Sequence, residues 1–109
     1  MSTAIHIYSK QSSPALEREG RAGLEDDLDE FLGEAGETTG GGSGVTSEAW
    51  NVDLELFDDT QLEEWIERLT HFLREWGVPE DTYFKVFPED WVGGTEPRRV
   101  NVFPDRNPA

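Results

Sequence analysis

The chain has 109 residues, enough for one domain (1–109) with a single core, and 35% of them are hydrophobic, so it contains the apolar material that folding requires. Its 24 acids against 9 bases give a formal charge of −15, a field that repels nucleic acid and anionic membrane surfaces and attracts basic partners. Cysteine is absent, which excludes disulfides and thiol chemistry; no run approaches the roughly 20 apolar residues of a membrane span, and no basic-then-apolar leader opens the chain. The expectation is a soluble, cytoplasmic protein.

Residues 3–8 alternate in their second half, with Ile5 and Ile7 on one side of a strand and His6 and Tyr8 on the other. Ser12 and Ser13 precede Pro14, the arrangement of a hydroxyl cap followed by proline in the first turn of a helix. Leu16, Leu24, Leu28, Phe31, Leu32 and Ala35 give that helix its apolar stripe. Gly20 and Gly23 weaken its first half by roughly 1 kcal/mol each, so the firm part is expected over 23–34.

Residues 36–44 are the one low-complexity stretch. Their glycines resemble a phosphate cradle, but a P-loop needs Lys-Ser/Thr after the last glycine, and Val45-Thr46 follows here. A flexible hairpin connection is expected, with a Gly-rich loop over 40–47 and Glu37-Thr38-Thr39 as a short strand before it.

Trp50, Val52, Leu54 and Leu56 alternate with Asn51, Asp53, Glu55 and Phe57, the clearest strand in the chain. The next element is the clearest helix: Leu62, Trp65, Ile66, Leu69, Phe72, Leu73 and Trp76 recur at three- and four-residue steps. Thr60 with Glu63 reads as its capping box, and Gly77 with Pro79 as its stop. A strand from Asp81 or Thr82 to Phe87 places Phe84 and Val86 on one face, and Pro88 ends it. Residues 88–97 read as a loop containing Trp91, Arg98–Phe103 as an edge strand, and 104–109 as a frayed tail.

This order predicts an α+β fold: a ferredoxin-like (split βαβ) two-layer sandwich, with a mostly antiparallel sheet and two helices on one face. Without a strand at 37–40, a simpler four-stranded sandwich is the fallback.

No stretch carries a catalytic signature, so no enzyme, cofactor or metal is expected. His6 and His71 are the only imidazoles, lack metal-ligand spacing, and read as surface residues. Carboxylates are abundant, but abundance says nothing about the paired environments that acid–base chemistry needs. The acidic run is more informative. Glu25 to Glu34 holds six acids and no base, and Asp26, Asp27, Asp29 and Glu30 populate the sides of a helix whose leucines face inward. Trp91, flanked by Glu89 and Asp90 in a Pro/Gly loop, reads either as an exposed anchor or as a lid over the sheet's end. Tyr8, Tyr83 and Phe87 add an apolar patch to the open sheet face.

In size, acidity and lack of catalytic signature the chain resembles the cytoplasmic immunity proteins that accompany bacterial toxins, especially nuclease toxins. The resemblance implies a basic protein partner, and Asp26, Asp27, Asp29, Glu30 and Trp91 are the residues expected to meet it. No direct nucleic-acid or membrane contact is expected. The alternatives are a DNA-mimic regulator of nucleic-acid-binding proteins, a ligand-binding or enzymatic ferredoxin-like domain with the Gly-rich loop as lid, and a structural role through the 98–103 edge.

Overall fold

The structure, a computed structural model, describes residues 2–43, 50–58, 60–88, 93 and 96–104, with backbone alone at 41–43. Five strands and two helices follow in the order β1 (Thr3–Ser9), α1 (Pro14–Leu32), β2 (Gly36–Ser43), β3 (Trp50–Leu56), α2 (Leu62–Trp76), β4 (Tyr83–Pro88) and β5 (Arg98–Asn101). A short 3-10 turn, Gly33–Ala35, joins α1 to β2.

The sheet order is β2-β3-β1-β4-β5, and every neighbouring pair is antiparallel. β1 and β2 therefore run parallel with β3 between them, and β3 and β4 run parallel with β1 between them. Each helix spans one of these two gaps. The fold is α+β, with a five-stranded antiparallel sheet.

Burial alternates along the central strands as the sequence pattern requires. Thr3, Ile5, Ile7 and Ser9 of β1 are buried, as are Trp50, Val52, Leu54 and Leu56 of β3 and Phe84 and Val86 of β4. The apolar ones form one cluster with Leu16, Leu24, Leu28 and Leu32 of α1 and Ile66, Leu69 and Leu73 of α2, so both helices lie on the same sheet face. The other face carries half-buried side chains.

Where the helices begin and end follows local chemistry. The Leu16 amide donates to Ser13 Oγ at 3.2 Å, and Ser13 Oγ donates to the Gly77 carbonyl at 2.6 Å, fastening the start of α1 to the end of α2. At Gly20 the backbone leaves helical geometry (φ 75°, ψ 168°), dividing α1 into two segments, and the expected weak first half is thus a kinked helix. α2 departs from the expected capping box. Its cap position is Gln61 with no side-chain bond, while the Thr60 amide donates to Asp58 Oδ1 at 3.0 Å in a turn before the helix. Gly77 ends α2 in the left-handed conformation (φ 96°).

The larger correction is at β2. It extends through Ser43, so residues 40–43 pair with β3 where a Gly-rich loop over 40–47 was expected to begin. A bulge between Thr38 and Gly40 shifts the register, and 44–47 lie outside the described residues. β5 stops at Asn101, two residues short of the expected Phe103, and of the 104–109 tail only 104 is described.

Candidate partner-binding groove

Beyond Leu62 at its start, which packs partly buried against the core, the seven-residue apolar stripe of α2 divides into two sets of three in the structure. Ile66, Leu69 and Leu73 are buried against the sheet, whereas Trp65, Phe72 and Trp76, on the flank turned toward α1, are only half-buried. On a helix these three residues project at a different angle from the first three, and a single sheet face covers only one of the two sets. Phe31 of α1 meets them: it stacks on Phe72 with ring centroids 4.6 Å apart and meets Trp65 edge-to-face at 5.7 Å.

The result is an aromatic-walled groove between the helices. Phe31, Phe72, Asp27 and Glu30 line a depression of about 390 Å³. A second depression of about 360 Å³ contains Trp65, Glu34, Ala35, Phe57, Asp58, Thr60 and Gln61. The Phe31–Trp65 contact joins the two. Phe57, 45% exposed, is the exposed large hydrophobic residue among the described ones.

The rim is acidic: Asp27, Glu30, Glu34 and Asp58 border the two depressions. The Thr60 backbone amide, and then its hydroxyl, hold the Asp58 carboxyl below its ordinary value, so it stays charged into mild acid. Four arginines elsewhere are spent on local acids. Arg18 pairs with Glu19, Arg21 with Glu25, Arg68 with Glu64 and Arg98 with Glu63. Among the described residues no ion pair reaches Asp26, Asp27, Asp29, Glu30 or Glu34. Arg68 also lies over Trp65 at 5.1 Å, on the molecule's own example of a guanidinium held by this aromatic wall.

The four acids named from the sequence are all exposed on α1, but they do not share one surface. Asp27 faces α2, accepting from Trp76 Nε1 at 2.8 Å. Asp29 faces the opposite flank, where it accepts from the Thr38 amide at 2.7 Å and the Thr38 hydroxyl at 3.0 Å and so ties β2 to α1. Asp26 lies between these flanks, and Glu30 borders the groove beside Asp27. Trp91 lies outside the described residues. The groove's own aromatics, Phe31, Trp65 and Phe72, appear in the sequence only as core positions. The available signal was the width of the α2 stripe, which exceeds what one sheet buries.

No family model, curated protein or solved structure matches the chain. The groove rests on its geometry alone.

Among the described residues no group of three His, Cys, Asp or Glu side chains is placed to hold a metal ion. His71 sits exposed on α2, 3.8 Å from Glu75, and His6 is on the far face of the sheet. Among the described residues no helix is long and apolar enough to cross a membrane.

Proposed function

We propose that this is a small acidic binding protein that neutralises or regulates a basic protein partner, in the manner of the immunity proteins of bacterial toxins. We also read its sheet as ferredoxin-like: strands β2-β3-β1-β4 with each helix crossing over one intervening strand form the split βαβ pattern, and β5 is appended at the edge.

The observation that supports the functional reading is the groove's composition. Phe31 and Phe72 form an apolar wall beside Asp27 and Glu30, with no described cation neutralising those carboxylates. An arginine or lysine entering such a site meets aromatic faces and charged acceptors together. Cation–π contact contributes about 0.5–2 kcal/mol and a charge-assisted hydrogen bond about 1.5–3 kcal/mol, both growing as water is excluded. The surrounding acids on α1 add long-range attraction, which speeds association and weakens with salt. Asp26, Asp27, Asp29 and Glu30 supply that field, and within it Glu30 and Asp27 are the contact residues.

The test is to isolate the partner from the source cells at low ionic strength, purify it, and measure its rebinding to Glu30→Lys and Phe72→Ala. Both changes should weaken binding at least about tenfold, equivalent to about 1.4 kcal/mol. A basic partner that binds both variants as tightly as the parent chain removes the groove from the proposal. A partner that carries no basic surface removes the function.

A further inference from the structure

The groove between the helices has two unlike banks. Asp27, Glu30 and Glu34 follow one another along α1 at three- and four-residue steps, so their exposed carboxylates form one stripe on the flank that borders the two depressions. Trp65, Phe72 and Trp76 form the facing aromatic bank, half-buried, with Phe31 stacked on Phe72 at 4.6 Å. Among the described residues no ion pair reaches the three carboxylates. Asp27 is held instead by a neutral donor, Trp76 Nε1, 2.8 Å from Oδ2. An indole N–H fixes the direction of that carboxylate without cancelling its charge, and leaves Oδ1 to an incoming donor.

The net charge of −15 draws cations of every kind, so charge alone does not choose between them. The two banks do. They require one side chain with an edge that donates to carboxylates and a face that lies on aromatic rings. A guanidinium has both, being planar, weakly hydrated and supplied with N–H donors in its plane; an ammonium is a compact, strongly hydrated point charge with no face. At the Trp65 end of the aromatic bank the chain makes this pairing with itself: Arg68 lies over Trp65 at 5.1 Å while its Nη2 is 3.2 Å from Glu64.

We propose, resting on the basic partner inferred above, that the side chain this groove takes from it is an arginine in preference to a lysine. The guanidinium lies against the Phe31–Phe72 pair and bridges Asp27 and Glu30, whose Cβ atoms, three residues apart on α1, are about 5–6 Å from each other, a span that one planar fork covers. Trp76 is the positioning residue. Without its N–H the Asp27 carboxylate turns freely, the bridge loses one end, and Glu30 alone receives an ammonium as well as a guanidinium.

Two probes of equal charge separate shape from charge: Nα-acetyl-arginine methylamide and Nα-acetyl-lysine methylamide, each titrated into the full chain at physiological ionic strength and followed by proton–nitrogen NMR. The arginine probe should move the Trp76 indole N–H and the amides of Asp27, Glu30 and Phe31 saturably, with a dissociation constant at least about fivefold below that of the lysine probe. Glu30→Gln should weaken the arginine probe at least about threefold. Trp76→Phe, which keeps a ring in the bank and removes the donor, should bring the two constants to within about twofold of each other, a change of preference that a general loosening of the fold does not produce. Glu67→Gln, on the flank of α2 turned away from the groove, should leave both constants unchanged, and circular dichroism establishes that each variant is folded.

A lysine probe that binds as tightly as arginine, shifts that map away from the groove, or no saturable shift by about 50 mM overturns the arginine preference, even where a captured basic partner still depends on Glu30 and Phe72. A preference unchanged in Trp76→Phe overturns the positioning role of that residue. An arginine preference found in a chain that captures no basic partner upholds the selectivity of the groove and removes the partner function instead.

Discussion

Trp76 Nε1 donates to Asp27 Oδ2 at 2.8 Å, joining an indole from the apolar stripe of α2 to a carboxylate from the acidic run of α1. The bond closes one end of the aromatic groove and holds the two helices in a fixed relation. Being exposed, it contributes at the low end of the range for a charge-assisted hydrogen bond. Asp27→Ala and Trp76→Phe should each cost about 0.5–1 kcal/mol, read as a lower denaturation midpoint at unchanged m-value. The double variant should cost less than the sum of the singles, because both remove the same bond.

The groove wall and the core differ in what they cost to lose. Phe84 is fully buried at the centre of the sheet, so Phe84→Ala leaves a cavity and should cost about 3–5 kcal/mol. Phe72 is half-buried on the groove flank, and Phe72→Ala should cost about 1–2 kcal/mol. Equal losses in urea titrations would place Phe72 in the core and not in a binding wall.

Gly36 is fixed by a close backbone approach. A Cβ at this position would lie 2.2 Å from the Glu55 carbonyl oxygen on β3, and backbone cannot swing away as a side chain can. Gly36→Ala should therefore destabilise by at least about 2 kcal/mol and should raise amide exchange first along β2 and β3. Protection unchanged in those strands would show that the two can separate without loss.

Glu63 on α2 is bonded to Arg98 on β5, and the Arg98 hydrogen bond holds the Glu63 carboxyl below its ordinary value. A carboxyl with a depressed folded pKa binds its proton less readily in the folded state than in the unfolded chain. Its stabilisation is present above the ordinary carboxylate range, about 4.3, and is lost as pH falls through the lower folded value. Exchange protection of the Val100 amide should thus drop in acid for the parent chain. Glu63→Gln should show low protection at neutral pH and a flatter acid response.

Elements with side chains on one buried face were legible in the sequence. β3 and α2 each repeat an apolar residue at the period of their own geometry, and the structure places them within a residue or two of the expected bounds. β2 was only partly legible, because Gly40-Gly41-Gly42 carries no side chains to show a period. What places it is external: the hydrogen-bonding edge of β3, the close approach at Gly36 and the grip of Asp29 on Thr38. The start of α2 was misread because Thr60 and Glu63 have capping-box spacing, yet the Asp58 carboxylate takes the Thr60 amide first. In the candidate site, charge was visible and direction was not. Asp27 and Asp29 are two residues apart, which on a helix turns them to opposite flanks, one bonded to Trp76 and the other to Thr38. Phe31 and Phe72 share a groove only because the two helices lie side by side, a relation no local pattern encodes.

The first strand sits in the middle of the sheet, and its two neighbours, β3 and β4, come from residues 50–56 and 83–88. During synthesis on the ribosome, β1 emerges earliest and must wait with one flank open until Phe84 and Val86 have left the exit tunnel. The nascent chain consequently reaches its native state late, and its vulnerability to mispairing before then falls on the apolar residues Ile5 and Ile7.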